Sequence, residues 1–298
     1  MGGILEIKGV TKYSGKQRMF EKLDFSLDEP KIIALVAPNG TGKTTLLNII
    51  ANIDSVDEGS IAVFGKPHTD SQMFHNVSYL QDSSILYDYL TGWEHLEFVR
   101  NVYGKTKEEI QAIIEELDIA VYLNKKVKTY SLEMKQYLLL AISLINEPEL
   151  LLMDEPLNGL DPISSIKVKN CIRSLAKQGV SVILTSCNLY DLTTITEDIF
   201  FLYEGKLVEK EEVIIDVVEY TLVLEEVDKA LSFLSRIDVS CTQISKYKLR
   251  GNFTKHQLTV FRSFCKEQEI TLFDFQVTNG HLERVYFNLY GKNERALT

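Results

Sequence analysis

Three stretches of the chain are apolar almost without interruption, at 32–36, 150–153 and 180–185. Short unbroken runs of this kind mark buried strands. Amphipathic segments follow the first and second of them, a helix at 46–51 and a longer one at 164–177 that Gly179 stops. Elsewhere the pattern alternates. Leu23, Phe25 and Leu27 share one face of a strand at 20–27, and 4–10 alternates more loosely. Further strands are predicted at 59–65 and 77–81, and a hairpin at 199–208 turns on Glu204-Gly205. Between Asp82 and about Asn146 the period becomes helical, with Ile110, Ile113, Ile114 and Leu117 on one stripe. Thr91 with Glu94, and Thr106 with Glu109, have capping-box spacing. The aromatics of this block, Tyr87, Tyr89, Trp93 and Phe98, are expected mostly in the core, with some near its start available to a partner surface. Beyond Glu212 short strands (220–224, 241–246, 270–277) alternate with helices (227–235, 255–268). The pattern therefore predicts an α/β domain over 1–212 with a helical insert at about 82–148, then a small α+β domain over 213–298.

The first buried strand runs into Ala37-Pro38-Asn39-Gly40-Thr41-Gly42-Lys43-Thr44-Thr45. Strand, glycine-rich loop and helix are the setting in which a Walker A string holds phosphate. Gly40 and Gly42 allow the loop to curl so that its N–H groups converge, and the helix N-terminus adds positive potential. Lys43 is placed to reach the β- and γ-phosphates, and the Thr44 hydroxyl to bind Mg²⁺. The pattern's opening glycine is Ala37 here, which requires a negative φ at that position.

Other strand ends carry chemistry too. The run at 150–153 delivers Asp154 and Glu155, a pair suited to Mg²⁺ and to water activation. Gln81 closes another strand, where its amide oxygen can follow a metal and the γ-phosphate. Tyr13, in what reads as a polar loop, can stack on a base.

Composition narrows the classes. A chain of 298 residues with 45% hydrophobic and 25% charged residues has the makings of one large domain plus a small one. A net charge of −10 argues against a nucleic-acid partner. The longest apolar run, 137–145, is too short to cross a bilayer, and no signal peptide is expected. The four cysteines lie far apart with no CxxC pair, which suits a reducing compartment and no structural metal. Any membrane role must then be borrowed from another subunit.

Taken in order, these motifs resemble the ATP-binding subunit of an ABC transporter, over roughly the first 210 residues. The resemblance adds a signature segment at Ser131-Leu132-Glu133-Met134, a D-loop at 158–161, and a switch position at Cys187. The tail at 280–287 looks like the ending of exporters of the bacitracin, lantibiotic and antimicrobial-peptide kind. It implies a P-loop NTPase core with an antiparallel β subdomain and a helical subdomain. It implies ATP and Mg²⁺, a separate transmembrane permease, and a second ATPase subunit that is either another copy or a relative. The place implied is the cytoplasmic face of the membrane, held there through the permease. Asn39, Gly40, Thr41, Gly42, Lys43, Thr44 and Thr45 would hold phosphate, and Tyr13 adenine. Thr44, Gln81 and Asp154 would serve Mg²⁺, Glu155 would act on water, and Ser131 would complete the partner's ATP site. A soluble ABC factor for translation or repair fits less well, because the chain carries one ATPase domain and no basic tract.

Two positions depart from the family. Its signature usually reads Ser-Gly-Gly-Gln or Ser-Gly-Gly-Met; here Leu132 and Glu133 replace the glycines and are expected to bring bulk and negative charge to the docking place of a phosphate. The switch residue, usually histidine, is Cys187, whose thiol is a weak donor. Slow hydrolysis is the expectation for the isolated chain, alongside the reading of a regulatory nucleotide-binding subunit.

Overall fold

The computed structural model describes residues 3–186, 188–213, 217–277 and 281–294. The chain divides into two compact units, Met1–Glu209 and Lys210–Thr298. In the first unit β3 (Ile32–Val36), β7 (Leu150–Met153) and β8 (Ser181–Thr185) are buried at every residue. They lie inside a six-stranded sheet ordered β10-β9-β3-β8-β7-β6, completed by β6 (Val77–Leu80), β9 (Ile199–Tyr203) and β10 (Lys206–Glu209). All neighbours pair in parallel except β9 and β10. Strands covered on both faces need no polar side, which is why they read as unbroken apolar runs. Parallel direction also gathers the strand ends. The loop after β3, Gln81 after β6, Asp154 after β7 and Ser186 after β8 all leave the same edge of the sheet.

A second, antiparallel sheet is ordered β2-β1-β4-β5, from β1 (Leu5–Ser14), β2 (Gln17–Leu27), β4 (Glu58–Val63) and β5 (Lys66–Pro67). Here the sequence reading is corrected. Tyr13 is not in a loop but in β1, opposite Arg18 of β2. The hairpin closes tightly at Gly15, whose φ of 60° suits glycine, so pairing continues through polar residues that carry no apolar alternation. Where β1 is irregular, between Lys8 and Thr11, β4 places Gly59 at φ 89° against the backbone oxygens of Lys8 and Gly9. Gly59→Ala is therefore expected to destabilise the protein by about 1–3 kcal/mol, measured by urea unfolding. A loss below about 0.5 kcal/mol would mean that the strand shifts to make room.

The helical insert holds α2 (Gly92–Tyr103), α3 (Lys107–Leu117) and α4 (Leu132–Leu144); α1 (Lys43–Ile50), α5 (Pro162–Lys177) and α6 (Leu189–Thr193) complete the unit. Both capping boxes form, at Thr91/Glu94 and Thr106/Glu109. The insert packs on the sheet through α4 against β6, and α2 and α3 lie on α4. The expectation that its aromatics lie mostly in the core fails, since Trp93 is half-buried and Phe98 exposed, while Tyr87 and Tyr89, near its start, are open as the alternative allowed. Tyr87, Tyr89 and Phe98 are 57%, 67% and 67% exposed. The core here is taken by the aliphatic stripe Leu96, Ile110, Ile114 and Leu138, so the rings are left outside.

In the second unit β11 (Val217–Leu224), α7 (Val227–Arg236), β12 (Cys241–Ser245), β13 (Lys248–Thr254), α8 (Lys255–Glu267) and β14 (Leu272–Val277) follow one another as βαββαβ. The sheet is antiparallel, ordered β12-β13-β11-β14, the split βαβ arrangement. Leu222, Leu224, Leu249 and Phe253 pack with Ala230, Leu234, Phe261 and Cys265 of the two helices. β13 escaped the sequence reading because Gly251 interrupts its apolar face. Glycine is needed there, since a Cβ would overlap the Cys241 sulfur. A last helix, α9 (His281–Glu294), lies against β11 and accounts for most of the tail singled out above; Gly280 lies outside the described residues.

Candidate nucleotide site

The phosphate loop is built as its sequence requires. Gly40 and Gly42 have φ of 78° and 112°, while Ala37 is not among the residues of positive φ, so the alanine is accommodated without strain. A Cβ at Gly42 would also press on Phe20 and Met19, at 3.1 and 3.2 Å. Gly42 caps α1, whose first turn carries no acidic side chain to cancel its positive end. The Lys43 side chain is 7% exposed and its Nζ donates to the carbonyl oxygens of Ala37 (2.7 Å) and Pro38 (3.4 Å). The lysine is thus folded back over the loop. Thr41 ties the loop to itself through Pro38 O at 2.7 Å.

One carboxylate joins the loop to the neighbouring strands. Asp154 Oδ2 accepts from the Thr44 hydroxyl and Oδ1 from the Thr185 hydroxyl, both at 2.6 Å. Thr185 Oγ1 in turn accepts from the backbone N–H of Glu155 at 2.9 Å. Glu155 sits at φ 47°, a strained backbone for a residue with a Cβ. Burial, with Asp154 nearby, pushes the Tyr79 phenol well above its usual range. Asn39, Gly40, Gly42, Lys43, Thr44, Thr45, Asp154 and Glu155 together line a cavity of about 200 Å³. Glu155 also borders a second, larger cavity, about 770 Å³, between the 157–160 turn, α5 and α6.

Two residues of this arrangement escaped the sequence reading. Met19 of β2 lines the phosphate cavity, a placement that nothing in the local sequence signals. Thr185 bridges Asp154 to Glu155. Its signal was a hydroxyl at the end of a buried apolar strand, where a polar group must find a partner.

The other predicted residues stand apart from the cavity. Tyr13 is 47% exposed on β1, and its N–H donates to Asp57 Oδ2 at 2.7 Å. The adjacent Lys12, 7% exposed, is bound to Asp54 Oδ1 at 2.8 Å and holds that carboxyl below its usual range. Ser131 is exposed and caps α4, its hydroxyl accepting from Met134 N at 3.1 Å. Cys187 lies outside the described residues. Gln81 lines a groove of about 320 Å³ with Ile53, Phe74, Phe98, Val102 and Tyr103. Ile53, Phe74, Phe98 and Val102 are each at least 47% exposed, an apolar surface of which the sequence analysis named only Phe98.

Leu132, 48% exposed, and Glu133 both touch the segment that follows Glu155. The Glu133 carboxylate accepts from the Ser164 hydroxyl of α5, and the Leu132 side chain occupies the space beside Gly159.

Residues 20–158 match the ABC transporter family model. The lantibiotic transport ATP-binding protein SrtF of Streptococcus pyogenes is 31% identical over 70% of this chain and 91% of its own. The chain belongs to the ABC transporter ATP-binding proteins. Its likeness to relatives extends past the ATPase unit. YhcH of Bacillus subtilis strain 168, an uncharacterised ABC transporter ATP-binding protein, is 29% identical over 100% of this chain and 99% of its own. The bacitracin transport ATP-binding protein BcrA of Enterococcus faecalis is 26% identical over 95% and 88%. A solved ATP-binding subunit of an ABC transporter superposes with a TM-score of 0.64, at 24% identity, over 69% of this chain and 89% of the other, so the ABC ATPase fold is shared. Among the described residues no helix is long and apolar enough to cross a membrane.

Proposed function

We propose that this ABC ATP-binding subunit hydrolyses ATP slowly and drives a separate membrane permease that exports a peptide or antibiotic-like cargo. The observation that carries the reading is the hydrogen-bonded chain from Thr44 through Asp154 and Thr185 to the Glu155 backbone, beside Lys43 in one cavity. Lys43 and the N–H groups of the 39–45 loop bind the phosphates, and Tyr13 stacks on adenine. Thr44 and Asp154 are hard oxygen donors already paired at the cavity, which suits Mg²⁺; Gln81, which follows β6 and lines a separate groove, would join them once nucleotide is bound. Held at the cavity, Mg²⁺ would supply positive charge to the transferring phosphoryl group. Glu155 orients or deprotonates the attacking water.

The site is completed by a second ATPase subunit, whose nucleotide Ser131 caps. Cys187 stands at the switch position, where a thiol donates only weakly to a γ-phosphate. That substitution supports slow turnover. The groove around Gln81 is the surface for the permease, since it joins exposed apolar side chains to a residue of the Mg²⁺ set. The names of SrtF and BcrA support the class of cargo. The second unit, which offers no glycine-rich loop, serves assembly and not catalysis.

Calorimetry with MgATP and steady-state phosphate release from the purified chain test the reading. Binding with slow turnover is expected. No MgATP binding would sink it, and brisk turnover without a partner would show that Cys187 costs nothing.

A further inference from the structure

The first six residues of α4 are fastened to the segment that follows Glu155. Leu132 lies so close over Gly159 that a Cβ there, at φ 75°, would overlap it. Glu133 accepts from the buried Ser164 hydroxyl. Gln136 Nε2 donates to Pro156 O at 2.9 Å, and the Tyr137 hydroxyl to Ser164 O at 3.3 Å. The receiving segment is itself tied by hydrogen bonds. Asp161 caps α5 by accepting from the N–H groups of Ile163 (2.7 Å) and Ser164 (3.0 Å). Those two bonds, Ser164's first, hold its carboxyl below the usual carboxylate value.

We propose that Leu132 and Glu133 form a latch between the signature segment and the D-loop of the same subunit. The loop that caps a partner's nucleotide and the loop that follows Glu155 then respond as one piece. The proposal rests on the reading of a two-subunit ATP site, and it reverses the sign assigned to these substitutions. A Glu133 carboxylate held by Ser164 turns its charge into its own subunit, while Leu132, 48% exposed, leans over Gly159. They leave the signature's approach to its backbone, where Ser131 O and Oγ accept from the Lys135 and Met134 amides and the preceding amides of the first turn face outward from the helix end. Two glycines at 132 and 133 would lack both contacts, so here the side chains supply the coupling.

Hydrogen exchange of the full-length chain, read by mass spectrometry, tests the latch. Glu133→Ala should speed exchange in residues 157–165 by about tenfold, the loss expected for a hydrogen bond to a charged acceptor. Glu133→Gln keeps an acceptor oxygen for Ser164 and should restore most of the protection. Ser164→Ala, which also removes the longer contact of that hydroxyl with Asp161 Oδ2 (3.3 Å), should lose at least as much protection as Glu133→Ala, and the double variant should add nothing beyond Ser164→Ala. Unchanged exchange at 157–165, failure of glutamine to restore it, or additive losses would each overturn the latch. MgATP should protect both 131–136 and 157–165 in the wild type, but only 157–165 in Glu133→Ala. Protection of both segments in that variant would show that the loops are coupled by another route and would overturn the proposal. A wild-type chain that fails to bind MgATP would sink the ATPase reading, while exchange without nucleotide still decides the latch.

Discussion

Glu155→Gln is expected to leave MgATP bound and almost unhydrolysed. Glu155 follows Asp154 at the end of β7, borders the phosphate cavity, and has its backbone N–H held by the Thr185 hydroxyl. That bond fixes a residue whose φ of 47° would otherwise relax, so the carboxylate is aimed by the strand and not by chance. Glutamine is nearly isosteric, keeps the backbone geometry and cannot take a proton. General-base catalysis contributes about 10²–10⁴-fold, and turnover should fall by that factor relative to the wild type. Affinity for MgATP should change little, because Lys43, Thr44 and Asp154 are untouched. Phosphate release and calorimetry on the same preparation separate the two quantities. Turnover within about twofold of the wild type would show that another group positions the water.

Lys43→Ala should act on the other quantity. The ammonium is buried and folded onto the carbonyls of Ala37 and Pro38, so its charge is poorly screened at the mouth of α1. A triphosphate replaces those neutral acceptors with anionic ones, and the lysine exchanges weak partners for strong ones. Hydrogen bonds to charged groups contribute about 1.5–3 kcal/mol, so MgATP affinity should drop roughly tenfold to more than a hundredfold. The fold should stay intact at a cost of about 1–3 kcal/mol, since the buried Ala37 carbonyl loses its Lys43 donor. Unchanged affinity by calorimetry would place the phosphate site elsewhere.

Much of this was legible along the chain because it depends on local rules. An unbroken apolar strand, two glycines with positive φ and a helix start within one stretch of sequence, so the Walker A loop could be read from residues 32–51 alone. The same holds for the two threonine capping boxes and for Asp154-Glu155 at a strand end. What failed locally was pairing. β1 and β2 continue through polar residues to Tyr13 because a turn at Gly15 brings them together, and β13 tolerates Gly251 because Cys241 fills the gap. Side-chain direction was invisible for the same reason. In sequence Glu133 is a negative charge beside Ser131; only the approach of α4 to α5 supplies Ser164 as its partner and Gly159 as the seat for Leu132. The sequence by itself determined the chemistry that one strand and its following loop can carry. The tertiary structure decided which distant groups meet, because those contacts lie between elements that no period or spacing in the chain relates.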